Sequence, residues 1–279
     1  MTGPTPLHRP ERLSNIGLGT VAVALAAAFV LLPRPLASVL SGRGYGDAQR
    51  LTDKISAAFV DYWRTGGRAL TPDLSHLVDY WRWFHVVKAV TAIGLLVMLI
   101  VLATRLWRAY ARSITQSDAW SSATGGVFVT LLSVFAFALA MANVQGAVAP
   151  FSSLMSMLPV NSVHGELAAM IGQVKHDLAH YPSSSTEALE MMVDDLALYH
   201  VAVAVISWSV AVVLIVLMVV PWRTYARTAT TERRARRLSR SLGIASMLVA
   251  ALTALLALAN TTAATESPTA VLNFYNGTF

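Results

Sequence analysis

Five apolar runs, roughly 16–33, 84–104, 124–146, 198–220 and 242–262, divide the chain, and each approaches the ~20 helical residues that cross a hydrocarbon core. Lipid offers no partner to a free backbone amide or carbonyl, so runs of this length are expected to be transmembrane helices. Between them the pattern turns amphipathic. Leu51, Ile55, Ala58, Phe59 and Tyr62 form one stripe at helical spacing, and Leu167, Met170, Ile171, Val174 and Leu178 form another. Each stripe is followed by a helix-start signal. The segment TPDL at 71–74 offers Thr71 as N-cap and Pro72 at the first helical position. SSTE at 184–187 reads as a capping box in which Glu187 reaches back to the capping residue. From Thr71 to Arg112 no breaker interrupts the pattern, and such a helix would be about 63 Å long, twice the ~30 Å hydrocarbon core. About a third should project from the bilayer and join the stripes in a small four-helix cluster, unless the stripes lie flat among the headgroups.

The strings WRAYAR at 107–112 and WRTYAR at 222–227 point to an internal repeat. Sliding residues 71–112 onto 186–227 without a gap gives 18 identities in 42 positions, among them Thr71/Thr186, Asp79/Asp194, His85/His200, Trp107/Trp222, Arg108/Arg223, Tyr110/Tyr225 and Arg112/Arg227. The third and fifth runs also match, at Gly126/Gly243, Leu139/Leu256, Ala140/Ala257, Ala142/Ala259 and Asn143/Asn260. Tandem duplication is the economical explanation. The expected architecture is therefore an all-α, polytopic membrane protein of five transmembrane helices with two tandem parallel repeats. Each repeat is a span, an external amphipathic helix and a long returning span. In this scheme residues 1–15 are a cytoplasmic N-terminus and 16–122 the first unit, with 34–83 external and 105–122 cytoplasmic. Residues 123–240 are the second unit, with 147–197 external and a basic cytoplasmic segment at 221–240; 241–279 hold the last span and an external tail. Ala, Gly, Ser and Thr enrich the odd-numbered spans, which are expected to form the packed centre.

Charge sets the expected orientation. Arg9 and Arg12, then Arg105, Arg108 and Arg112, then seven Arg from Arg223 to Arg240 fall on one side, whereas 147–197 carries Lys175 against six carboxylates. The positive-inside tendency places the N-terminus in the cytoplasm and the C-terminus outside. Residues 34–83 dissent with seven basic residues and five Asp, but a loop of that length translocates largely regardless of charge. The first run exceeds the 7–15 residues of a signal-peptide core, so an uncleaved anchor is expected. Of 279 residues 55% are hydrophobic and 13% charged, a balance suited to lipid. Arg supplies 18 of the 21 basic residues, a bias of GC-rich bacterial genomes, and a bacterial plasma membrane is the expected location. The net charge of +6 lies beside the spans, where it suits anionic lipid, and no nucleic acid is expected.

Candidate chemistry is sparse. Cysteine is absent, which excludes disulfides and thiolate metal sites. The two WRxYAR motifs, Trp107, Arg108, Tyr110 and Arg112 and then Trp222, Arg223, Tyr225 and Arg227, read as interface anchors: aromatic rings at the headgroups, Arg on the cytoplasmic side. His85 and His200 are expected as interfacial imidazoles with their polar tips among the headgroups. Asn143 and Asn260 are expected to hydrogen-bond between helices. Lys88, one turn inside the second run, is expected to snorkel outward. HDLAH at 176–180 sets His176 and His180 four apart with Asp177 between them, resembling the HExxH pattern in which two His bind zinc and an acidic residue is the general base. Its competing reading is a solvated polar face, and no third ligand among Glu187, Glu190 and His164 has diagnostic spacing.

Three functional classes follow. The first is a non-enzymatic subunit, scaffold or sensor whose external helices contact an envelope protein partner or a second copy of the chain. The second is a passive channel or facilitator built on the repeats. The third is a zinc-dependent membrane hydrolase using Asp177, His176 and His180.

Overall fold

A computed structural model describes residues 9–160 and 164–277, and side chains from residue 15 onward; most of the expected 1–15 segment lies outside the described residues. Among these there are eleven helices and no strand: α1 (Arg9–Leu31), α2 (Pro33–Leu40), α3 (Ala48–Thr65), α4 (Pro72–Arg112), α5 (Gln116–Val148), α6 (Pro150–Met155), α7 (Gly165–Ala179), α8 (Glu187–Leu217), α9 (Val219–Arg227), α10 (Arg233–Thr265) and α11 (Ser267–Tyr275). Four helices are long and apolar enough to cross a membrane, and α1 with α2, bent by 58°, makes a fifth if counted as one span. The bend falls at Pro33, which lacks the N–H that would continue α1.

The long returning helices take the expected form, with α4 and the α8–α9 pair each covering 41 residues. Their starts differ from the sequence reading. Thr71 stands at the N-cap of α4, but its hydroxyl is buried without a partner. The expected capping box around Glu187 is not formed. The amides of Ser184 and Ser185 are occupied by the turn after α7, so α8 begins two residues later, with the Thr186 hydroxyl accepting from Leu189 N at 3.2 Å. Glu187 instead accepts the backbone N–H of Arg68 at 3.3 Å. α8 ends at Leu217, and α9 begins at Val219, two residues before Pro221, whose ring and missing N–H break the helical ladder there. The basic segment 221–240 is largely helical, since only 228–232 separates α9 from α10.

The main core lies at one end of the molecule, in a head built from more helices than the expected four. Both amphipathic stripes are buried in it, from Ile55, Phe59 and Tyr62 on α3 to Met170, Ile171 and Val174 on α7. They meet Leu74 and Leu77 at the start of α4 and Leu189 and Met192 at the start of α8. α2, α6 and α11 add Ala37, Phe151, Leu154, Val271 and Tyr275. Each fully buried large side chain contributes about 1.5–3 kcal/mol, so the added short helices raise the head's stability directly. Phe151 is central, with ring centroids 6.3 Å from Phe59 and 6.0 Å from Tyr62. Polar contacts join the two halves of the sequence around this core: Trp63 Nε1 donates to Gln173 at 3.2 Å, Arg64 meets Glu166 at 2.8 Å, and Arg68 meets Asp194 at 2.6 Å.

The apolar spans hold a smaller core of their own, in which Leu99 and Val129 are buried beside Ala22 and Ala136. The spans contact one another in the order α1, α4, α5, α8, α10, so of the odd-numbered spans expected at the centre α5 holds the middle position, while α1 and α10 lie outside the returning helices. Contacts between spans use small residues such as Ala92, Ala136, Ala211 and Ala257, all nearly fully buried, which let backbones approach closely. Large apolar side chains face outward, among them Val90, Phe128, Leu131, Val205, Leu252 and Leu255. In water such a surface would aggregate; in lipid it is the solvated one.

Candidate functional site

The residues singled out by the repeat meet one another where the head joins the spans. On α5, Asn143 Nδ2 donates to Leu139 O at 2.7 Å, which turns the amide oxygen toward α4. His85 Nδ1 lies 3.0 Å from that oxygen. An oxygen acceptor fixes the ring as Nδ1-protonated, so Nε2 of the neutral ring is an acceptor. It is met by Ser153 Oγ of α6 at 3.0 Å, and Ser153 in turn accepts from Trp81 Nε1 at 3.0 Å. Every donor in this chain has an acceptor. The ring fits because residue 146 is glycine: a Cβ there would come within 2.7 Å of His85 Nδ1.

The same pair recurs 115 residues later. Asn260 Nδ2 donates to Leu256 O at 2.9 Å, and His200 Nδ1 lies 3.0 Å from Asn260 Oδ1. The surroundings differ. His200 Nε2 is buried and without a partner. The position matching Trp81 is Leu196, and aligning Pro150 of α6 with Pro268 of α11 sets Val271 where α6 has Ser153. Both replacements line a cavity of about 280 Å³ together with His200, Met155, Met192, Tyr199, Phe274 and Tyr275. The Tyr275 hydroxyl is likewise buried and unpartnered, and burial raises its pKa. Asp195, beside this seam on α8, accepts the Ser152 amide at 2.8 Å; desolvation nevertheless raises its pKa above the ordinary carboxylate value.

Thus both histidines turn inward to asparagine rather than resting their tips at the expected headgroup level. Lys88 also has an intramolecular partner, its Nζ standing 4.5 Å from the Phe29 ring and 5.2 Å from Phe84. Compared with protein-family models, curated proteins and solved structures, the chain matches none. Function must therefore be argued from the geometry.

At the opposite, basic end the WRxYAR motifs repeat one geometry. Trp107 and Tyr110 meet edge to face at 6.0 Å, and Trp222 and Tyr225 at 6.1 Å. Each indole lies on a glycine of the next long helix: a Cβ would come within 3.1 Å of Trp107 at Gly126 and within 3.0 Å of Trp222 at Gly243. Trp107 Nε1 also donates to Thr130 Oγ1 at 3.1 Å. The tryptophans are thus helix-packing residues, while Arg108, Arg112, Arg223 and Arg227 are exposed. One tie had no signal in the motif: Arg234 donates to Ser113 O at 2.8 Å and Gln116 Oε1 at 2.6 Å, joining α10 to the α4–α5 turn.

HDLAH straddles the end of α7. The helix stops at Ala179, His180 is its C-cap, and its Nδ1 lies 2.8 Å from His176 O. The two rings are adjacent, 4.5 Å between centroids. The potential third ligands lie elsewhere: Glu187 binds the Arg68 amide, Ser185 donates to Glu190, and His164 precedes the far end of α7. Among the described residues no three His, Asp or Glu side chains converge as a metal site requires.

Proposed function

We propose that this chain is a non-enzymatic protein of a bacterial plasma membrane, a subunit, scaffold or sensor whose head lies outside the cytoplasm and contacts an envelope partner. The observation that carries this reading is the distribution of packing. A head of seven helices encloses a continuous core, while the spans contact one another mainly through small residues and leave large apolar faces to lipid. Such spans serve to hold the head at the membrane. The concentration of exposed Arg at the other end supports a cytoplasmic location for that end. The tandem-repeat reading belongs to the same proposal. Two His–Asn pairs at the same 3.0 Å, two Trp–Gly contacts and two 41-residue stretches, α4 and the α8–α9 pair, support a duplicated α4–α5 and α8–α10 element with both copies the same way up.

The absence of cysteine makes the orientation simple to test. Single cysteines at Asp53 and His176 should react with an impermeant maleimide added to intact cells, and one at Arg237 only after permeabilisation. Photo-crosslinkers at exposed Asp53, Asp61 and Asp73 should give one common adduct in native membranes. If no head position crosslinks, and purified protein conducts ions in planar bilayers, the channel reading replaces this one.

A further inference from the structure

We propose that the cavity between α6, α8 and α11 is a binding site for a neutral, largely apolar molecule that donates one O–H or N–H hydrogen bond to His200 Nε2. The first junction shows what satisfies this imidazole, because there a serine hydroxyl from α6 meets His85 Nε2 at 3.0 Å. In the second, the helix position that would supply that hydroxyl is Val271, and the Trp81 counterpart is Leu196. Loss of both side chains leaves space and an unanswered acceptor at one place. In the neutral ring Nε2 is the acceptor, since Asn260 Nδ2 donates to Leu256 O and its oxygen faces His200 Nδ1, which then carries the proton. A buried polar atom with no partner destabilises the fold, and a donating ligand would recover that loss.

Size and lining define the rest of the ligand. A dry cavity of about 150 Å³ admits benzene, so about 280 Å³ takes a substituted ring or several carbons of an alkyl chain. Met155, Met192, Leu196, Val271 and Phe274 supply apolar walls, and methionine adapts to varied shapes. No Lys or Arg lines the cavity, so an anionic headgroup is not the matching chemistry. An alcohol-like group on an apolar body is. It has two sources, a free apolar solute or the hydroxyl of a neutral membrane lipid.

The test uses the full chain in phosphatidylcholine nanodiscs, with fluorine NMR of 4-fluorophenol and of 4-fluoroanisole, which has the same ring but no donor. The expected result is saturable binding of the phenol about tenfold tighter than the ether, a difference equal to one good hydrogen bond. His200→Phe keeps a ring and removes the acceptor, so it should abolish the preference. Ser156→Trp, at an exposed position on the cavity wall, should weaken both probes while leaving the core untouched. Competition by diacylglycerol in the disc assigns the site to a lipid hydroxyl; binding that diacylglycerol leaves unchanged assigns it to a free solute. Equal affinity for the two probes, a preference that survives His200→Phe, or no saturable binding in a folded protein overturns the proposal.

Discussion

The two histidine–asparagine junctions begin from the same pair of side chains at the same distance and end in opposite conditions. At the first, α6 lays Ser153 on the free imidazole nitrogen and Trp81 closes the chain of donors. At the second, α11 presents Val271 and the nitrogen faces a cavity. A repeated motif therefore fixes the pair but not its environment. The short helix packed above each pair decides whether the site is filled by the protein or left for something else.

The strongest way to break this comparison is at Gly146. Gly146→Ala drives a Cβ into the His85 ring, and overpacking of this kind costs about 1–3 kcal/mol. Reversible unfolding in mixed micelles should show that loss, and the His85–Asn143 contact should open. Next in size, His85→Leu strands both Asn143 and Ser153 and should cost about 2 kcal/mol, roughly twice His200→Leu, which strands only Asn260. Equal costs would mean that the two junctions are equally closed. Ser153→Ala sharpens the contrast by giving the first junction the unpartnered nitrogen of the second; it strands Trp81 Nε1 as well as His85 Nε2, so a loss of about 2 kcal/mol, like that of His85→Leu, is expected in the same assay.

The smallest effect concerns the seam between α6 and α8. Asp195 has a folded-state pKa raised by desolvation, against which the Ser152 amide works. The folded protein then binds more protons than the unfolded chain above the ordinary Asp value of about 3.9. Its contribution to stability accordingly falls as pH rises through the window between that value and the raised one. Asp195→Asn should remove this component, so the stability difference between variant and parent should shift in the variant's favour as pH rises through the window. A pH-independent difference would show that Asp195 is not desolvated.

The sequence was informative wherever a single helix carries the signal. Spans, amphipathic stripes, the unbroken run to Arg112 and the pairing of His85 with His200 and Asn143 with Asn260 are periodicities or identities, visible without neighbours. It misjudged what depends on two elements at once. The capping box failed because the turn after α7 had already occupied the serine amides. The histidines were assigned to headgroups because nothing in the linear pattern reveals that Gly146 lets α5 approach the His85 ring. The expected four-helix cluster omitted α2, α6 and α11, which are too short to show a clear period.

By itself, then, the sequence determined which stretches are helical, which are suited to lipid and which residues recur, because each follows from local spacing of apolar side chains and from backbone groups satisfied within one helix. The tertiary structure alone decided that one imidazole is sealed by a serine and the other borders a cavity. That distinction depends on how α6 and α11 are set over α4 and α8. Rotating a helix by one residue would exchange a hydroxyl for a methyl group without altering its hydrophobic pattern.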